Sequence, residues 1–184
     1  MTKKEMSEIF AIMLLAYPTA ETFKGGIQKL APTIELWTAA LPEVDFWLGQ
    51  KAVMKLVREC KYPPTIAEFR EKAESIKDEI RGHALEEWGM LKTVMSLMDK
   101  SPQEAVAGRG MFVQSVVASM GGPEKLIVRE ESTRPDGEKT IVEKYAYYEF
   151  LDAYEAEVRR MEALPGKAAR PALGAAVKQI GGTS

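Results

Sequence analysis

Lys61-Tyr62-Pro63-Pro64-Thr65-Ile66-Ala67-Glu68-Phe69 decides how the N-terminal third of this chain folds. Each proline lacks a backbone N–H and pushes the residue before it out of the helical region. Two in succession therefore end the helix that runs up to Cys60. Thr65 with Glu68 three positions on reads as a capping box, in which each side chain satisfies a backbone donor of the other. Ile66 and Phe69 then open the apolar stripe of a new helix. A stop, an extended joint and a start fall within this one short run, and no catalytic signature elsewhere is as well defined.

Working back toward the N-terminus, Met6, Ile9, Phe10, Met13 and Tyr17 recur at helical spacing, which predicts a helix over Lys3 to Ala16. Ile12 and Leu15 widen the stripe, as expected of a central helix. Tyr17-Pro18 ends it, and a loop holding Gly25-Gly26 follows. A short helix is expected over Thr33 to Ala40 with Ile34 and Trp37 inward. A third runs from about Val44 to Cys60, with Leu48, Ala52, Leu56 and Cys60 repeating at four. Cys60 thus reads as a small buried hydrophobe.

Beyond the joint, Ile66, Phe69, Ala73, Ile76 and Ile80 predict a fourth helix. Gly82-His83 interrupts its pattern before Leu85, Trp88, Leu91, Met95 and Met98 resume it. A domain boundary near Asp78 to Ala84 and a single long connecting helix both fit. Ser101-Pro102-Gln103-Glu104 starts another helix, weakened at Gly108 and Gly110 and stopped by Gly121-Gly122-Pro123. Glu124 to Val142, with a turn at Pro135-Asp136-Gly137, reads as a small hairpin or a loose loop near 127–142. The last strong helix is expected from about Val142 to Ala163. After Leu164-Pro165-Gly166 the chain is rich in Ala and Gly and is expected to be flexible in isolation. The resulting expectation is an all-α protein: an N-terminal bundle over 1–80, a second, smaller helical unit over 84–163 and a tail over 164–184.

Composition limits the function classes. The chain has 184 residues, 46% hydrophobic and 28% charged, with net charge −2, enough to bury a core but without the basic excess that non-specific DNA binding needs. One cysteine allows no intramolecular disulfide, which fits a reducing cytoplasm. The apolar patch Ile9 to Ala16 is preceded by Glu5 and Glu8 and is too short to span a membrane, so it reads as a core helix. Neither a Gly-x-x-x-x-Gly-Lys-Ser/Thr loop nor a Gly-x-Gly-x-x-Gly fingerprint is present.

His83 is the single histidine, which excludes His-based metal clusters. Neighbouring carboxylates at Glu86-Glu87 and Glu130-Glu131 diverge on regular structure and read as solvated charge. Tyr145, Tyr147, Tyr148 and Tyr154 are spaced for helix packing, and Glu143, Glu149, Asp152 and Glu155 among them would repel phosphates. Catalytic, cofactor and metal residues are accordingly not assigned.

The opening Met-Thr-Lys-Lys-Glu with its Ile-Phe helix, Tyr17-Pro18, Glu35-Leu36-Trp37 and Tyr62-Pro63-Pro64-Thr65-Ile66-Ala67-Glu68 resemble, in order and spacing, the phage replicative-helicase loader/inhibitor family. The likeness covers about the first 75 residues, with Tyr17, Pro18, Trp37, Tyr62, Pro63, Pro64 and Thr65 as its structural signature. Trp88, Val113 to Val117 running into Gly121-Gly122, and Phe150-Leu151 with Tyr154-Glu155 are similar to longer relatives. Arg134 to Gly137 is an insertion, and the loop before Trp37 is longer and more Gly-rich than the family's. The resemblance implies a non-enzymatic adaptor that binds a hexameric DnaB-type helicase, holds it inactive and delivers it to an origin-bound initiator. It also implies helicase contacts in the tail, where Val177 and Ile180 are the candidate anchors and Lys167, Arg170 and Lys178 the steering charges. The alternative is a DNA-binding replication or regulatory protein with a winged-helix-like C-terminal unit and Arg129 to Lys144 as the wing. The cluster Lys51, Lys55, Arg58 and Lys61 reads as a solvated face under either view.

Overall fold

A computed structural model of the chain describes residues 1–133, 135 and 138–163. Among these, helices dominate: α1 (Lys3–Ala16), α2 (Ala31–Ala40), α3 (Phe46–Glu59), α4 (Ile66–Leu97), α5 (Pro102–Ala107), α6 (Met111–Ser119) and α7 (Tyr147–Ala163). One antiparallel hairpin, β1 (Ile127–Thr133) and β2 (Lys139–Tyr145), precedes α7. The described residues divide into two compact units, 1–78 and 79–163, and the division falls inside α4. The candidate tail residues Lys167, Arg170, Val177, Lys178 and Ile180 lie outside the described residues.

In the first unit α1 packs on α2 and α3. Thr2 caps α1 in a capping box with Glu5, and Asp45 caps α3 by accepting from the Leu48 amide at 3.0 Å. Met6, Ile9, Phe10 and Met13 of α1 meet Trp37 of α2, Ala52 and Val53 of α3, and Phe69 of α4 in a buried core. An aromatic ladder runs through it. Phe23, Phe10, Trp37 and Phe69 stand edge to face in that order, with centroids 6.4, 5.2 and 5.5 Å apart. Gly49 is buried in α3, where a Cβ would sit 2.9 Å from the sulfur of the flexible Met1 side chain.

The second unit surrounds Trp88 and Leu91 of α4, Val113, Val116 and Val117 of α6, and Phe150 of α7. Trp88 lies 5.3 Å from Phe150, and Phe112 lies 4.9 Å from Tyr154. Glu157 of α7 is 3% exposed. It accepts from the Ser115 hydroxyl of α6 and from the Arg160 guanidinium one turn on, the latter at 2.6 Å.

Several boundaries differ from the sequence reading. α4 runs unbroken through Gly82 and His83, because a lone glycine costs a helix only about 1 kcal/mol. The helix begun at Ser101 is two helices: Gly108 caps α5, and Gly110 serves as the N-cap of α6. Residues Val142 to Tyr145 are strand and the last helix starts at Tyr147. There the ladder pairs Ile127 with Tyr145 and Glu130 with Val142, and β-branched residues suit it. Cys60 is half-buried at the C-cap of α3, one position past the helix, so it is no core hydrophobe. Of the tyrosines, Tyr154 packs in the core while Tyr148 stands exposed.

Candidate functional site

The signature residues converge on the corner between α3 and α4. Cys60 ends α3 with its amide bonded to the Leu56 carbonyl at 2.7 Å. The Cys60 carbonyl, left without a helical partner, accepts from the Tyr17 hydroxyl at 3.1 Å. Tyr17 is the C-cap residue of α1, so one side chain ties the end of the first helix to the end of the third. Burial pushes its phenol pKa up, with Cys60 adding a smaller contribution in the same direction. Pro18, the next residue, is exposed.

Across the joint, Pro64 is buried and Pro63 half-buried. The Glu68 amide bonds Thr65 Oγ1 at 3.3 Å, and the Thr65 amide bonds Glu68 Oε2 at 2.7 Å. This is the reciprocal capping box the sequence implies. The hydrogen bonds to Thr65 lower the Glu68 pKa, so the box is intact at neutral pH. Arg70, one turn on, reaches back to the Ala40 carbonyl at 2.6 Å and to Glu43 at 2.9 Å, which fixes the end of α2.

Trp37, Phe10, Phe23, Pro63, Pro64 and Thr65 are among the residues lining a cavity of about 260 Å³ at this corner. Its walls are mostly apolar and offer no paired nucleophile and base. Among the described residues, no three His, Cys, Asp or Glu side chains are grouped to hold a metal ion. The corner ties the ends of α1, α2 and α3 to the start of α4. Tyr62 is the one aromatic signature residue whose ring is left in solvent: it is 71% exposed.

The remaining candidates fall apart spatially. Glu86 faces solvent with His83 at 3.9 Å, whereas Glu87 pairs with Arg109. Glu130 pairs with Lys144 and Glu131 with Lys139, so those neighbours diverge as adjacent strand residues must. In the would-be wing, Arg129 also pairs with Glu143 across the ladder. These cations lie beside glutamates, which weakens any attraction for a phosphate backbone. The Ser115–Glu157–Arg160 group escapes sequence reading: the i, i+3 spacing of Glu157 and Arg160 is visible, but Ser115 is brought there only by the packing of α6 on α7.

Removing the Tyr17 hydroxyl tests the corner. Tyr17→Phe is expected to cost ~1 kcal/mol, the usual net worth of such a bond with its acceptor left partly buried. Urea unfolding of the variant beside the parent measures it.

Among the described residues, no helix is long and apolar enough to cross a membrane. No curated protein and no solved structure matches the chain. Residues 1–70, which hold Tyr17, Trp37 and the whole Tyr62 to Thr65 joint, match a family model and are thus similar to the N-terminal domain of the helicase loader/inhibitor of phage SPP1.

Proposed function

We propose that this chain is a non-enzymatic phage replication protein that binds the hexameric DnaB-type helicase of its host, restrains it and delivers it to an origin-bound initiator in the host cytoplasm. The observation that supports this reading is the match of residues 1–70 to the N-terminal domain of the phage loader/inhibitor. The apolar, structurally locked corner is consistent with a scaffold for protein contacts. In this reading residues 1–80 form the loader-like domain, 84–163 a C-terminal domain, and 164–184 the segment that engages the helicase. Val177 and Ile180 supply apolar anchors, and Lys167, Arg170 and Lys178 steer the encounter. A segment that orders on binding has part of its contact energy offset by lost entropy, which keeps the complex releasable.

The test is co-migration of the full chain with the cognate helicase on a sizing column, with and without ATP. A complex is expected, with unwinding slowed in its presence. Absence of a complex under both conditions overturns the proposal. Deleting residues 165–184 is expected to weaken helicase binding at least about tenfold, or ~1.4 kcal/mol. Unchanged affinity would move the contact to the folded units.

A further inference from the structure

The last turns of α4 are apolar nearly all round. From Trp88 to Met98 the single charged residue is Lys92, whose ammonium lies 5.7 Å from the Tyr145 ring centroid. A helix of that composition is normally covered on every side. On the inner side Trp88, Leu91 and Met95 belong to the core of the second unit. The outer side stands open, with Met90 48% and Leu97 80% exposed. Positions 86, 90, 93 and 97 advance by four, three and four, so Glu86, Met90, Thr93 and Leu97 share one helical face. The Thr93 hydroxyl is satisfied within the helix, since it donates to the Gly89 carbonyl at 2.8 Å.

A groove of about 430 Å³ lies on this face, with Glu86, Gly89, Met90, Thr93 and Arg109 among its walls. Gly89 opens it: a Cβ there would meet no atom within 4 Å. Arg109 is paired with Glu87, so Glu86, with His83 3.9 Å away, gives the groove a negative character. The face extends about 16 Å from Glu86 to Leu97.

We propose that the chain's own segment 171–180 seats in this groove. Leu173, Val177 and Ile180 are spaced by four and three, which puts them on one side of a helix begun at Pro171. Ten residues in that form cover about 15 Å, the length of the face. Residues 164–184 carry Lys167, Arg170 and Lys178 and no acidic side chain, which complements Glu86. A second copy of the chain would instead bring another Glu86 to the face. The reach is sufficient. The Phe150 and Trp88 ring centroids are 5.3 Å apart, and α7 ends at Ala163. From Phe150 to Ala163 α7 rises about 20 Å, which puts the groove, across the width of α4, about 30 Å from Ala163. The ten residues on to Leu173 extend to about 33 Å. Docked there, Val177 and Ile180 are withheld from a helicase, so the groove sets how much of the tail is available. That consequence rests on the loader reading; the docking itself does not.

The test uses the full chain, with methyl-labelled methionines read by NMR and Met90 as the probe. In Val177→Asp with Ile180→Asp the Met90 resonance is expected to shift, while those of Met6 and Met13, buried in the first unit, stay in place. Gly89→Arg fills the groove from an open position and offsets Glu86. It is expected to release the segment with no loss in melting temperature, because arginine suits a helix better than glycine. Under the loader reading Gly89→Arg should bind the helicase about tenfold more tightly, the gain for a tail docked about nine-tenths of the time. An unmoved Met90 resonance in the doubly substituted chain overturns the docking. A Met90 resonance that moves on dilution, equally in parent and doubly substituted chain, overturns it in favour of a second copy. Unchanged helicase affinity in Gly89→Arg, with Met90 shifted as expected, supports the docking and rejects its control of the tail. A chain that ignores the helicase while Met90 shifts supports the docking and rejects the loader reading alone.

Discussion

Trp37→Ala is expected to remove about 3–5 kcal/mol from the stability of the N-terminal unit, the cost of emptying a large aromatic site in a core that relaxes only in part. Trp37 is 7% exposed and stands between Phe10 and Phe69 at 5.2 and 5.5 Å. Its loss breaks the ladder in the middle and leaves two rings without their edge-to-face partner. The stability of whole domains is only about 5–15 kcal/mol, so the variant should sit near its unfolding threshold. Amide hydrogen exchange in α1 and α3 is the readout, since fluorescence also reports Trp47 and Trp88. Trp37→Phe keeps an aromatic in the gap and should recover much of the loss. Protection in Trp37→Ala within about 1 kcal/mol of the parent would show that the ladder is not what holds the helices together.

The ladder also shows which parts of the fold are legible in the sequence. Apolar spacing places Phe10, Trp37 and Phe69 on inward faces, and two prolines with a Thr-Glu pair specify the turn between α3 and α4. These signals are local: steric exclusion by proline and reciprocal capping act within a few residues. Tyr17 is visible as a helix end, yet its bond to the Cys60 carbonyl joins residues 43 apart, and no local pattern encodes it. The same limit applies to Val142 to Tyr145. Ile141 and Val142 read as one arm of a hairpin or a loop, whereas Glu143 to Tyr145 read as the start of the last helix, and only pairing with Ile127 to Arg129 makes them strand. The break from Gly108 to Gly110 is stronger than either glycine implies, because two close together stop a helix where one only weakens it. As for the candidate site, the corner is legible as a scaffold.

Glu157 gives the second large effect, and it depends on pH. Its carboxylate is held by the Arg160 guanidinium and by the Ser115 hydroxyl, which together outweigh its desolvation and lower its pKa to about 2. A carboxyl depressed in the folded state binds fewer protons there than in the unfolded chain. The stability it contributes is therefore fully present above the usual carboxylate range near 4.5, and is lost as pH falls from there through about 2. Glu157→Ala is expected to cost ~2 kcal/mol at neutral pH, at the lower end for charge-assisted bonds because Arg160 is 56% exposed and rehydrates. Glu157→Gln keeps an acceptor for both donors and should cost less. Both variants should unfold in acid along a shallower slope than the parent between about pH 5 and 2. Exposed capping carboxylates such as Glu5, Glu68 and Glu104, whose pKa values are also lowered, titrate equally in all three proteins and cancel in the comparison. Ser115→Ala should reproduce part of the Glu157 effect without altering its sign, since the larger contribution comes from Arg160. Urea midpoints at successive pH values decide the matter: parallel curves for parent and Glu157→Gln would mean that the α6–α7 contact draws its stability from Phe112, Phe150 and Tyr154 alone.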